Sequence, residues 1–405
     1  MPRILHIGVG NFCRAHLADY TQDAGDWSIC GVSLRSPGVR DGLKAQGFGY
    51  TLAIQGQEAK YIDVFDDVLV APENPAAVLS QIAALDVHVI SITVTEKGYH
   101  LTPDNRLNRA DPMIAEDLAG HGPHTLIGFL ARGLANRTTP VTVLSCDNRN
   151  GNGETLRAAV LDFAEAAHLR IDQAIASFPN SMVDRITPAT TEALRKQTGD
   201  AMAVPTEPFR EWVIEDSFAG PRPDWPDVQF VTDVAPHEMR KLRMLNAAHS
   251  MLAYAGTLAG FEFVHQAVGA EVLRNEARAV MSEAAQTLPP DVRHQAPAYA
   301  EALIERFDNP HINHSLRQIA MDGSQKLPYR IFDSIRERSA DGAKSPALCK
   351  AVRAWLAFCR EETAAARPIQ DPLGAEISQL IASGAADQAL LELIGAGHLS
   401  AVILE

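Results

Sequence analysis

The stretch R-I-L-H-I-G-V-G-N-F-C-R-A-H, residues 3–16, decides how the first half of the chain folds. Its opening residues, 3–9, form a short apolar run that predicts a buried strand of a parallel sheet. Gly8 and Gly10 follow at once, and Arg14-Ala15-His16-Leu17 opens a helix. Two glycines between a strand and a helix let the backbone approach a pyrophosphate, and the helix N-terminus favours its charge. The third position of this fingerprint holds Cys13 instead of glycine. Gly8, Gly10, Asn11 and Phe12 are the candidate cofactor-binding residues here. A plain tight turn is the alternative.

Working outward, residues 27–34, W-S-I-C-G-V-S-L, predict a second strand. An NAD site places an acid near the end of this strand to hold the ribose hydroxyls. Here Leu34 leads into Arg35-Ser36-Pro37-Gly38, with no acid before Asp41. Arg35 becomes a candidate contact to a 2′-phosphate or an adenine face, or a solvated side chain. Residues 50–70 predict a hairpin turning at Gln55-Gly56-Gln57. Helices are expected over 74–85 and 123–136, and strands over 87–94 and 141–145. Both of those strands end polar, in T-E-K-G-Y (95–99) and C-D-N-R-N-G-N-G (146–153). The C-terminal ends of buried strands are where α/β sheets place ligands. This alternation predicts an α/β fold: an N-terminal doubly wound, Rossmann-type parallel sheet domain, residues 1–232.

From residue 233 to 405 the chain reads as a mostly α-helical C-terminal domain, with helices over 236–254, 271–288, 297–307, 312–321 and 347–365. The first of these carries the chemistry. At about 100° per residue, Glu238, Lys241, Leu245 and His249 share one arc, with Asn246 at its edge. An acid, an amine, a carboxamide and an imidazole at one-turn spacing suit moving a proton and polarising a carbonyl. The bland alternative is a half-buried helix with surface ion pairs such as Glu238 with Lys241.

Composition narrows the classes. The 405 residues carry a formal net charge of −14, which argues against a nucleic-acid partner. An anionic small substrate needs only one local basic pocket. Cys13, Cys30, Cys146, Cys349 and Cys359 are widely spaced, so neither a disulfide framework nor a metal site is indicated. Free thiols, a strand starting at Arg3 and the lack of a long apolar run predict a cytoplasmic protein with no membrane partner.

Seven motifs, taken in order, resemble the mannitol dehydrogenase family of polyol-specific long-chain dehydrogenases. They are I-G-V-G-N-F-C-R-A-H, T-E-K-G-Y, S-C-D-N-R-N-G-N-G, S-F-P-N-S-M-V-D-R-I-T-P-A-T, E-P-F-R-E-W-V-I-E-D, V-A-P-H-E-M-R-K-L-R-M-L-N-A-A-H-S and M-D-G-S-Q-K-L-P. The match spans residues 3 to about 330. The departures are Cys13 where the family usually has histidine, N-A-A-H for N-G-S-H, Pro37-Gly38 in place of an acidic pair, and a shorter end.

The resemblance implies a dehydrogenase without a catalytic metal, with NAD as the expected cofactor and NADP left open by Arg35. It implies Lys241 as general acid/base, Asn148 and Asn246 as donors to the reacting oxygen, and His249 on substrate hydroxyls. Glu238 would exchange the proton with solvent, Asp184 would lie in the substrate region, and Glu96 would contact the cofactor. Asn148 has a plainer reading as a cap of the helix near Gly153. Asp184 could form a structural pair with Arg185. Sugar-acid members tend to have lysine at the position of Lys97, where mannitol-type members have glycine. Lys97, with Lys326 as a second cation, therefore points to D-mannonate and D-fructuronate, and otherwise to mannitol or arabinitol. The partner expected is a small sugar acid or polyol, for a monomer or small homo-oligomer.

Overall fold

The apolar run after Pro2 forms strand β1, Arg3–Ile7, buried from its second residue on. The structure is a computed structural model describing residues 1–405, apart from the side chain of Glu96. Five more strands lie parallel in the same sheet: β2 (Ser28–Ser33), β3 (Phe65–Val70), β4 (Val87–Ile92), β5 (Val141–Ser145) and β6 (Ala176–Ser177). Their spatial order is β3-β2-β1-β4-β5-β6. This is the doubly wound Rossmann order, in which the chain reverses direction beside β1 and ligands sit beyond the C-terminal strand ends there. The near-continuous burial of β1, β2, β4 and β5 follows from helices covering both faces.

Part of the expected hairpin lies elsewhere. Tyr50–Ile54 does pair antiparallel with Lys60–Ile62. Phe65–Val70, however, joins the main sheet as β3. Its Asp66 and Asp67 interrupt the apolar pattern, which an edge strand tolerates because one side faces water. Asp66 accepts from Arg3 and from Ser28 at 2.9 and 2.8 Å.

Two three-stranded sheets complete the first unit. One comprises Tyr50–Ile54, Lys60–Ile62 and Val204–Thr206, the other Ser181–Asp184, Glu211–Glu215 and Gln229–Val231. A buried ion cluster ties both to the helix Leu17–Ala24. Asp19 on that helix pairs with Lys60 at 2.6 Å, Arg185 at 2.5 Å and Arg210 at 3.0 Å. Burial pushes the Asp19 carboxyl up, but Arg185 and Lys60 outweigh it and hold the group below its usual value.

Contacts divide the chain into two units, Met1–Ala235 and Pro236–Glu405. The second is helical, with a core built around Ala247–Leu258, Glu271–Ala285, Ala296–Phe307 and Pro346–Ala364. Two expectations need correction. Only Leu316–Ile319 is helical of the helix expected over 312–321; Asn313, His314 and Ser315 lie outside it. The segment 236–254 is not one α-helix: Ala235–Arg240 is α, Lys241–Asn246 is π-helical, and Ala247–Leu258 is α again. A second π segment, Pro328–Phe332, packs against the first. Its cause is visible: Pro328 has no N–H to close the α-helical bond to the preceding turn.

Candidate active site

Gly8 and Gly10 are glycines for different reasons. Gly8 sits at φ +105°, and a Cβ there would lie 2.0 Å from the Thr93 carbonyl oxygen just past β4. At Gly10 a Cβ would meet only the Gly8 carbonyl oxygen, at 3.9 Å. The backbone at Gly10 is therefore open to an incoming group, as a pyrophosphate requires. His6 supports the turn from below, with Nδ1 2.8 Å from Ser91 Oγ and Nε2 2.9 Å from Thr93 Oγ1. Thr93 Oγ1 in turn donates to the Gly8 carbonyl at 2.8 Å. Burial lowers the His6 pKa to about 3, so the imidazole stays neutral.

No side chain caps the helix Asn11–Ala15 that follows. The Asn11 carboxamide is engaged with Thr190 Oγ1 at 3.1 Å and Arg14 Nη2 at 2.7 Å, and the Phe12 ring stacks on His16 at 4.9 Å. Both residues are thus left with backbone N–H groups to offer a phosphate. Cys13, fully buried, fills the strand–helix contact where the fingerprint would have its third glycine. Arg35 is exposed just beyond β2, and Lys97 is exposed on the 3₁₀ turn Glu96–Tyr99 after β4. The expected Glu96 contact concerns a side chain outside the described residues. The turn thus fits a dinucleotide at its phosphates, with Arg35 at the end of β2 where the ribose contact belongs.

Asn148 stands on a loop held by residues that sequence reasoning passed over. Asp147 clamps the ends of β4 and β5: its Oδ1 accepts from the Val94 N–H at 2.8 Å, and its Oδ2 from the Tyr99 hydroxyl at 2.5 Å. That hydroxyl also bonds Ser145 at 2.7 Å. Burial and the Asp147 charge push the Tyr99 phenol well above its usual range. Asn152, fully buried, donates to the Ser181 and Asp147 carbonyls at 2.8 and 3.0 Å. The helix cap that Asn148 could have supplied comes from Asn180, whose Oδ1 accepts from Gly153 and Glu154 at 2.9 and 3.1 Å. Asp184 is buried at the end of its strand, and its neighbour Arg185 turns to Asp19. The signal for the clamp was present in S-C-D, a polar step at the end of an apolar strand.

In the second unit the π turn changes which residues share a face. An α-helix would put Asn246 about 140° round from Lys241. A π turn closes i→i+5 bonds and brings the fifth residue close above the first. Lys241 and Asn246, both half-buried, are its first and last residues. Leu245, expected on the polar arc, is instead in the core. His249 is buried against Phe307 and His314, with ring centroids 4.5 and 5.3 Å away. Burial and the Arg306 charge lower the His314 pKa. The cations flanking Lys241 are engaged elsewhere. Arg240 donates to Gln295 at 2.8 Å, and Arg243 grips Glu337 through two bonds of 2.6 Å. Glu238 is half-buried one turn before Lys241.

Lys326 is no plain surface lysine. It is half-buried, donates to the Met321 carbonyl at 2.6 Å, and its pKa is lowered by burial and then by Arg330. A cavity of about 250 Å³ lined by Met321, Phe358 and Ile369 contains none of the expected residues, and its arginines, Arg317 and Arg367, are both satisfied by Glu362. Among the described residues, no group of His, Cys, Asp or Glu could hold a metal ion and no helix is long and apolar enough to cross a membrane.

The chain matches two family models, the mannitol dehydrogenase Rossmann domain over residues 2–227 and the mannitol dehydrogenase C-terminal domain over residues 233–398. A D-mannonate oxidoreductase of Escherichia coli is 38% identical over 410 residues, which are 93% of this chain and 84% of that protein. A mannitol 2-dehydrogenase of Pyrenophora tritici-repentis is also 38% identical, over 94% of this chain and 74% of its own. Among solved structures, the Pseudomonas fluorescens mannitol 2-dehydrogenase in ternary complex with NAD and D-mannitol superposes with a TM-score of 0.78 at 35% identity. That match covers 99% of this chain and 87% of the other.

Proposed function

The chain belongs to the mannitol dehydrogenase family and is an oxidoreductase of CH–OH groups in polyols or sugar acids, and from that premise we propose that it interconverts D-mannonate and D-fructuronate with NAD. The observation that carries the choice of a sugar acid is Lys97, exposed on the turn after β4 at the ligand end of the sheet. A charge-assisted bond from this ammonium to a carboxylate contributes about 1.5–3 kcal/mol. That favours the acid over the matching neutral sugar by about tenfold to a hundredfold.

When bound, NAD supplies the acceptor for the hydrogen that leaves the carbinol carbon. In this proposal Lys241 takes the hydroxyl proton during oxidation and returns it during reduction. Its pKa must then fall from about 10.4 toward neutrality, and partial burial works in that direction. Asn148 and Asn246 donate N–H bonds to the reacting oxygen as its charge grows, without titrating. His249 and Asp184 bind substrate hydroxyls, and Glu238 passes the proton between Lys241 and solvent. Gly8, Gly10 and the N–H groups of Asn11 and Phe12 hold the pyrophosphate. NAD is favoured by the relative solved with it, whereas Arg35 would favour NADP.

Comparable identity to a mannitol 2-dehydrogenase supports a second reading, D-mannitol and D-fructose. Steady-state rates with NADH decide. A higher kcat/KM for D-fructuronate than for D-fructose is expected, and the reverse order would remove the sugar-acid reading. Tenfold or greater preference for NADPH would remove the NAD assignment and implicate Arg35.

A further inference from the structure

We propose that Arg330, with Lys326 one turn before it, binds the carboxylate of the substrate in addition to the bond proposed for Lys97 and sharpens the selection of sugar acids over neutral polyols; this rests on the sugar-acid reading above. Arg330 lies in the middle of the π turn Pro328–Phe332, which packs against the π turn carrying Lys241 and Asn246. Its Nη1 donates to Ser250 Oγ at 3.1 Å. Ser250 directly follows His249 and stands four residues after Asn246, so the guanidinium reaches the helix face that continues from the carboxamide.

The remaining donors of Arg330 are unspent. Its Nε is buried and has no partner among the described residues, and no ion pair engages it there. Three buried arginines differ, although the Nε of buried Arg14 likewise has no partner among the described residues. Arg185 pairs with Asp19, Arg243 with Glu337, and Arg137 donates to the carbonyls of Ile82, Ala84, Thr139 and Pro140. Lys326 has the Met321 carbonyl at 2.6 Å, with Asp322 no closer than 3.8 Å. Burial lowers the pKa of both cations, and Arg330 lowers that of Lys326 further. The Tyr254 hydroxyl, buried near the same guanidinium, is another donor without a partner among the described residues.

Two partly desolvated cations a turn apart repel each other and are costly without an anion. In a chain of net charge −14, Arg330 has no ion-paired carboxylate among the described residues and Lys326 has only Asp322, at 3.8 Å. A substrate carboxylate would meet a planar fork from Arg330 and a point charge from Lys326. The carboxylate and the ketone of D-fructuronate lie well apart on the carbon chain. A carboxylate site displaced from Lys241 toward Ser250 and Arg330 suits that separation.

The test is the steady-state kinetics of the full chain and its R330Q and R330K variants with NADH, D-fructuronate and D-fructose, each variant's melting temperature being recorded alongside. R330Q is expected to raise KM for D-fructuronate tenfold or more with kcat within a few-fold. Its kcat/KM for D-fructuronate should fall at least ten times further than that for D-fructose, and R330K should recover part of the loss. An equal effect on both sugars, or no effect, overturns the assignment. If the unaltered chain prefers D-fructose, the sugar-acid reading itself falls; if it prefers D-fructuronate and R330Q discriminates as before, only the role of Arg330 falls. Should R330Q not fold, K326M decides by the same ratio, with unchanged discrimination counting against the site.

Discussion

Gly8 and Gly10 differ in a way that a pair of alanine substitutions makes measurable. At Gly8, φ is +105° and the Thr93 carbonyl occupies the position of a Cβ. Gly8→Ala should destabilise the chain by at least about 2 kcal/mol through strain and clash. At Gly10 the protein leaves space. Gly10→Ala should keep its melting temperature within about 2 °C while weakening NAD at least tenfold, because the methyl then stands where the pyrophosphate approaches. Thermal melts and NAD titrations of the two variants check this. Equal NAD affinity in Gly10→Ala and the parent would show that the turn does not hold the phosphates. The carboxamides make a second test. Asn148→Ala and Asn246→Ala should each lower kcat by roughly a hundredfold. A double variant whose loss is smaller than the product of the two would show them acting on one oxygen, whereas single losses within a few-fold would remove the role.

Between elements, the Asp147 clamp sets where the loop bearing Asn148 leaves the sheet. Tyr99→Phe removes the hydroxyl shared by Asp147 and Ser145 and takes one donor from a half-buried carboxylate. A loss of about 1–3 kcal/mol in unfolding free energy is expected, with kcat falling more than NAD affinity. Unchanged kcat would mean that the clamp does not position Asn148. These elements differ in how legible they were. Apolar runs bounded by glycine and polar steps revealed β1, β2, β4 and β5, because burial on both faces leaves little else that such runs can be. β3 escaped because Asp66 and Asp67 break its pattern at an edge. The π turns escaped because reading faces at 3.6 residues per turn presupposes the regularity that they break. Lys241 and His249 are proposed from residue type and resemblance, which do not depend on that regularity. Asn180 as a cap and Ser250 as the partner of Arg330 depend on pairings 27 and 80 residues apart, which spacing along one helix or strand cannot reveal.

For the molecule as a whole, two buried histidines contribute to the response to acid. His6 and His16 have folded pKa values lowered to about 3 by burial, against 6.5 for the free side chain. At these two side chains the unfolded chain therefore binds up to two more protons than the folded one between those values. Stability should be fully present above pH 6.5 and decline as pH falls below it, by up to about 1.4 kcal/mol per histidine per pH unit. Denaturant unfolding between pH 7 and 5 checks the slope, and a flat profile over that range would contradict it.

In the proposed function Lys241 moves the proton in an NAD-dependent oxidation of a sugar acid. The most direct measurement is the initial rate of NADH formation from D-mannonate, with the Lys241→Ala variant run alongside and NAD binding measured for both. The account predicts NADH formation by the parent chain and a rate lower by a hundredfold or more in the variant, with NAD affinity nearly unchanged. No NADH from D-mannonate, or variant turnover within a few-fold of the parent, would contradict it.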